Sequence, residues 1–307
     1  MKKFTGPRAG IQPYLFLSPA LISIFLISFL PVVYTIFLAF TNYSLNHLDD
    51  YKIIGMENFG TILTGHLRPI FLPVFLWTVS FALITTTGSF LIGLIMAIVL
   101  NNRNMRETRI YRAILIVPWA LPSTIAVLAW QGLLNETYGG INGMLGLLNL
   151  PNNIPWLNDP FWARVGLIIV SLWLGFPYMM NVSLGVLQSV EPSLYESADM
   201  DGATSWQKFR RITLPLITSA SLPLVISSFA FNFNNFGAAY LITQGNPPRP
   251  DTQFAGFTDI LTSAGYKMTA QFFRYDLASA LSILVFLVIG TITLVNMKLT
   301  RSFEEVD

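Results

Sequence analysis

The chain has 307 residues, of which 53% are hydrophobic and 11% charged, and its net charge is +2. A soluble domain carries about 25% charged residues, so this composition excludes a water-covered globule and implies one polytopic helical membrane unit. The small basic excess is accommodated at lipid headgroups and calls for no nucleic acid, and without Cys there is neither a disulfide nor a thiolate metal site.

A helix needs about 20 apolar residues to cross a bilayer, because every backbone polar group must be paired inside the segment. Six stretches satisfy this, near 14–41, 73–100, 112–134, 162–188, 215–241 and 277–297. The first is too long, and too poor in a small-residue cleavage site, to be a signal peptide. Pro118 and Pro122 fall inside the third, which makes it the weakest of the six. Lys and Arg are retained on the cytoplasmic side. An inside N-terminus (residues 1–13) places 12 of the 18 Lys and Arg residues inside, among them Lys2, Lys3, Arg8, Arg103, Arg106, Arg109, Arg112, Lys298 and Arg301. Both termini are then cytoplasmic, and 14–307 form one transmembrane domain.

The connections 42–72, 135–161 and 242–276 fall outside and are rich in Asn, Gly and Pro. They read either as cover for an external gate and partner or as ordinary solvated links. His47 and His66 stand apart in the first of them and read as solvated side chains, with no metal. The fourth and fifth spans are joined by a different kind of segment, 189–214. Pro192 opens a soluble-looking helix, Asp201-Gly202 closes it, and Lys208, Arg210 and Arg211 follow before Pro215. Such a segment makes a platform for a cytoplasmic partner.

No Asp or Glu falls inside a span and no G-x-x-x-x-G-K-[ST] loop occurs. There is thus neither the buried proton relay of a coupled carrier nor a phosphate cradle, and if the chain serves energised transport the energy is expected from another polypeptide. The polar groups inside the spans are neutral and ordered. Ser228, Phe231, Asn232 and Asn235 repeat at i, i+3, i+4 and i+7, and Ser171, Leu174, Gly175 and Tyr178 repeat that spacing beside Pro177. Amides supply both donors and acceptors, and aromatic faces pack on the apolar side of a pyranose, so the stripes suit a neutral polyol. Taken by themselves they equally suit interhelical hydrogen bonding.

The segment Tyr195–Pro215, YESADMDGATSWQKFRRITLP, resembles the EAA loop of permease subunits in binding-protein-dependent ABC importers, with Ser197 in place of the usual Ala. WLGFPYMM at 173–180, SFAFNFNNF at 228–236, AGFTDIL at 255–261 and VNMKLTR at 295–301 resemble the maltose/maltodextrin permeases of that group. The resemblance implies an all-α integral membrane protein of six transmembrane helices with the type I ABC importer permease (MetI-like) fold. It implies a non-enzymatic transport subunit in a prokaryotic inner membrane, with no catalytic residue. Its partners would be a second, similar permease, an ATPase dimer holding ATP and Mg²⁺, and an external sugar-binding protein. By the same resemblance Glu196, Ser197, Ala198 and Gly202 dock the ATPase. Ser171, Leu174, Gly175, Tyr178, Ser228, Phe231, Asn232 and Asn235 hold a maltose-like sugar, with Ser171 standing where an amide is usual. Enterobacterial members carry a large external insertion that embraces the binding protein, whereas the first external loop here has only about 30 residues. A permease for amino acids or phosphate, and a secondary carrier or channel, are the competing readings.

Overall fold

The computed structural model describes residues 12–102 and 105–299. Lys2, Lys3, Arg8, Arg103 and Arg301, and nearly all of the expected N-terminal segment, lie outside the described residues. Among the described residues the regular structure is helical throughout, with two isolated β-bridges, Thr41–Ile53 and Arg249–Thr252.

In chain order the helices are α1 (Tyr14–Ala39), α2 (Glu57–Leu63), α3 (Arg68–Leu100), α4 (Thr108–Leu115), α5 (Val117–Ala120), α6 (Ser123–Leu133), α7 (Gly140–Leu147), α8 (Pro160–Ser189), α9 (Pro192–Met200), α10 (Ser205–Phe233), α11 (Phe236–Thr243), α12 (Leu261–Ala270) and α13 (Tyr275–Leu299). Five of them, α1, α3, α8, α10 and α13, are long and apolar enough to cross a membrane. Their start signals are local. Asp159 Oδ1 accepts from the backbone N–H of Phe161 and Trp162 at 2.9 and 3.0 Å, and Pro160 fills the first helical position where its missing N–H costs nothing.

Two expected spans differ from their sequence boundaries. The third is cut into α4, α5 and α6, with Leu121 and Pro122 extended at ψ 145° and 119°. Pro122 disfavours the helical region for the residue before it and removes a backbone donor, and the helix ends here with Leu121 extended. The fifth ends at Phe233, and Asn235 caps the separate helix α11 by accepting from the Ala238 N–H at 3.3 Å.

The centre of the molecule is the crossing of α3 and α8. A Cβ on Gly93 would come within 2.5 Å of the Met180 backbone nitrogen, and one on Gly175 within 2.7 Å of Ser89 Oγ. Glycine is what lets these backbones approach, as at other helix crossings in membranes. Leu94, Ala97, Met180, Leu184 and Ile217 pack one end of the crossing, and Phe81, Leu134, Trp156, Leu167 and Val170 the other. In contrast α1 leaves Phe16 86% and Ile27 76% exposed, as suits a helix bathed in lipid.

The long connections are folded rather than loose. Asn58 Nδ2 donates to the carbonyls of Ala39 and Thr41, closing the end of α1, and Trp156 Nε1 donates to Asn142 Oδ1 at 2.9 Å. In the connection 242–276 the Asp259 side chain is fully buried. It accepts from Lys267 Nζ at 2.6 Å, Ser263 Oγ at 2.7 Å and the Gly256 N–H at 2.7 Å. Gly245, at φ +81°, passes so close that any side chain there would overlap the carboxylate. Trp77 Nε1 donates to the Thr258 carbonyl, Arg164 Nε donates to that of Phe257, and the Arg164 guanidinium lies 4.5 Å above the Trp77 ring. The connection is thereby fastened to α3 and α8. We predict that Asp259→Ala, which strands a buried ammonium, lowers stability by about 3–5 kcal/mol. The thermal unfolding transition in detergent checks this, and an unshifted transition refutes it.

Candidate functional site

The α3–α8 crossing, the broken third span and the end of α10 enclose a cavity of about 590 Å³. All eight residues singled out from the two polar stripes, Ser171, Leu174, Gly175, Tyr178, Ser228, Phe231, Asn232 and Asn235, line it. Gly175 is near the middle of α8 and Thr86 near the middle of α3, so the cavity sits midway along the spans. No charged side chain is among its lining residues. Asn235 reaches it differently from the spacing expectation. It stands at the break between α10 and α11, where the backbone leaves the helix, and is not the fourth member of a continuous stripe.

Hydrogen bonds sort these groups by what they can still offer. Ser171 Oγ is buried and donates to the Leu167 carbonyl at 2.8 Å, so its proton stays within its own helix and only its lone pairs remain. Asn232 Nδ2 donates to Thr86 Oγ1 at 3.0 Å, tying α10 to α3. Phe231 is 69% exposed despite lining a cavity, which gives a free aromatic face.

Further cavity residues escaped the sequence reading. Trp119 of α5 is 55% exposed, and its ring centroid lies 6.3 Å from that of Tyr178, a second aromatic wall opposite Phe231's helix. Thr86 and Ser89 contribute hydroxyls from α3. The flanking prolines were the available signal for Trp119, since a break in a span frees the side chains beside it from helix packing. For Thr86 and Ser89 the signal was the run Thr85-Thr86-Thr87-Gly88-Ser89, a cluster of small polar residues in an otherwise apolar span.

At the other end of the spans α9 lies across the ends of α3 and α8, and Asn101, Leu187, Gln188, Tyr195 and Glu196 share a smaller cavity there. Pro192 opens α9, and the chain turns out of it at Gly202, φ +74°. The turn is closed by the Gly202 N–H on the Asp199 carbonyl at 3.0 Å and the Ala203 N–H on that of Ala198 at 2.9 Å. Thr204 and Gln207 then make a reciprocal capping box for α10. Lys208 Nζ pairs with Asp199 at 2.6 Å, and the Tyr195 hydroxyl meets Thr213 Oγ1 at 2.9 Å. Glu196 and Ser197 stay exposed, as do Met200 and Trp206, while Ala198 is half-buried. The arrangement offers an acid and apolar side chains on a short helix whose far side is bonded to the membrane helices.

Residues 89–300 match the family described as the binding-protein-dependent transport system inner membrane component. The chain is 40% identical to the galactooligosaccharides transport system permease protein GanP of Bacillus subtilis, over 95% of its own length and 71% of that protein's. It is 38% identical to the maltodextrin transport system permease protein MdxF of the same organism, over 96% and 70% respectively. A chain from the crystal structure of a bacterial ABC transporter involved in import of the acidic polysaccharide alginate shares the fold, with a TM-score of 0.76 at 23% identity and 96% of each chain covered.

The turn after α9 gives a test of the local geometry. Gly202→Val, which forces a β-branched residue into the left-handed region, should destabilise the α9–α10 junction by about 1–3 kcal/mol. Hydrogen exchange across 196–208 reads this, and protection equal to that of the parent chain would refute it.

Proposed function

Because the chain belongs to the family of binding-protein-dependent transport system inner membrane components, we propose that it lines half of the membrane pathway of a sugar importer for maltodextrin or a related α-glucoside. The observation that carries this reading is the uncharged, mid-span cavity onto which amide, hydroxyl and aromatic groups converge. An anionic or zwitterionic cargo calls for a counter-charge there, whereas a sugar calls for neutral hydrogen-bonding groups and ring faces. In this reading Ser228, Asn232 and Asn235 bond sugar hydroxyls, Phe231 and Tyr178 pack on ring faces, and Leu174, Gly175 and Ser171 shape the opposite wall. A galacto-oligosaccharide is the second reading, favoured by the 40% identity to GanP.

Transport then proceeds by alternating access. An external binding protein delivers the sugar, and a second, similar permease completes the pathway. ATP and Mg²⁺ are held by a separate ATPase dimer, and this chain hydrolyses nothing. The ATPase docks on α9 through Glu196, Ser197 and Ala198, with Gly202 allowing the turn. Closure of that dimer favours one state of the spans over the other, which is what lets ATP drive the change. Both termini face the cytoplasm, on the side of α9, a reading supported by the distribution of basic residues.

Two measurements test the reading. Phe231→Ala and Asn232→Ala should each lower uptake about 10-fold, the loss expected when one neutral hydrogen bond or one ring face is removed from a binding site. The ATPase should remain bound in both. Uptake by the reconstituted complex with a panel of maltose, maltotriose and galactobiose reads this and identifies the cargo. Parental uptake by both variants would remove the proposed site. Glu196→Lys should abolish co-purification of the ATPase or uncouple hydrolysis from uptake while leaving thermal unfolding unchanged. Normal sugar uptake by that variant would refute the docking role.

A further inference from the structure

The first helix of the broken third span, α4, has two unlike sides. Arg109 and Arg112 share one of them, and Ile110 and Ile114, each 60% exposed, share the other. Arg112 looks into the bundle, where its Nη2 donates to Asn181 Oδ1 of α8 at 3.3 Å. Asn181 stands eight residues before the end of α8 at Ser189, about 12 Å along the axis. Among the described residues no carboxylate pairs with Arg109 or Arg112, and Arg112 is exposed. A cation short of the membrane boundary, turned inward and without a counter-ion, belongs beside a water-filled space.

The same place is reached from the central cavity by following α8. The side of α8 that lines the cavity with Ser171, Leu174, Gly175 and Tyr178 continues at helical spacing through Asn181 and Gly185 to Gln188. Gly185 is exposed, and a Cβ there would meet nothing within 4 Å. Gln188 already lines the smaller cavity at α9. From Tyr178 to Gln188 is about 15 Å of helix. One side of α8 thus runs from the neutral cavity to the cavity at α9, past an amide, an open glycine and the guanidinium that faces them. We infer that this stretch is the cytoplasmic outlet of the cavity, and that Arg112 and Asn181 form a second binding point there for hydroxyls of the departing cargo. The inference rests on the sugar reading of the cavity and extends it toward release. A guanidinium that only donates and an amide that both donates and accepts match the hydroxyls of a neutral sugar. A sugar leaving Tyr178 and Phe231 then exchanges one set of hydrogen bonds for another before it meets bulk water.

The test has two arms, both on the complete transporter. The chain contains no Cys, so each introduced thiol is unique within it. In inside-out membrane vesicles Gly185→Cys should react with a charged methanethiosulfonate about 10-fold faster than Ile114→Cys, as read from the mass of this chain. Equal rates, or an unreactive Gly185→Cys, overturn the outlet. In proteoliposomes with the binding protein, and with whichever of maltose or galactobiose the uptake panel identifies, Arg112→Gln and Asn181→Ala should each lower kcat for uptake about 2- to 10-fold. KM should stay at the parental value, because these bonds form after the sugar has left the central cavity. Arg112→Lys keeps a charged donor and should restore most of the rate. Parental kcat in both variants overturns the binding point. So does a loss that Arg112→Lys fails to relieve, or one that appears in KM alone, either of which marks a merely structural contact. The labelling arm needs no cargo, so the outlet is judged apart from the sugar reading, and it is parental uptake by Asn232→Ala that overturns the latter.

Discussion

The close approach of α3 to α8 is the constraint from which the rest of the molecule follows. It depends on glycine at two points along the crossing, Gly93 against the Met180 backbone and Gly175 against Ser89. In a bilayer there is no gain from withdrawing apolar surface from water, so helix contacts rely on shape and on hydrogen bonds. A crossing built on glycine supplies the shape. It also brings Thr86 and Ser89 of α3 beside Gly175 and Tyr178 of α8, and these become one wall of the cavity. The opposite wall is then made from the short helices of the broken third span and from the end of α10 with the break that follows it.

Both broken spans end at this cavity. The chain leaves helical geometry at Leu121–Pro122 and again at Asn234–Asn235, and Leu121 and Asn235 are lining residues. Backbone groups released from a helix are tolerated at membrane depth only where protein or a wet cavity can receive them. Breaks and cavity therefore account for one another. The interruptions supply polar atoms to a space that would otherwise be lined by helix sides alone, and the space relieves the cost of the interruptions. Trp119 belongs to the same pattern, because it stands between Pro118 and Pro122, on the four-residue helix α5, which has no long face to bury.

How much of this was legible in the sequence follows the range of the interactions involved. Local signals were readable. Pro192, Asp201 and Gly202 bound α9 where turn chemistry says they should, and the spacing from Ser171 to Tyr178 and from Ser228 to Asn232 placed those residues on one side of their helices. Asn235 reached the cavity for a reason its spacing did not contain. What no local pattern carries is pairing across distance. The bonds of Asn232 to Thr86 and of Trp77 to Thr258 join segments 146 and 181 residues apart. Asp259 and Lys267 sit in a stretch that reads as gate cover or as a solvated link, and they form a buried ion pair that neither reading contains. Only the folded chain shows that their mutual neutralisation lets the connection pack as if it were core.

The same bonds decide how a force on α9 reaches the cavity. This short helix is not hinged freely at Gly202. Asp199 pairs with Lys208 and Tyr195 meets Thr213, so two points on α9 are bonded to the first turns of α10. These contacts tie α9 to α10 beyond the covalent turn between them. From Thr213, α10 runs on to Ser228, Phe231 and Asn232 at the cavity, and Asn232 in turn holds Thr86 of α3. The contact between α10 and α3 forms part of the cavity wall. The exposed face of α9 and the neutral cavity are in this way connected through α10, with a polar contact at each end.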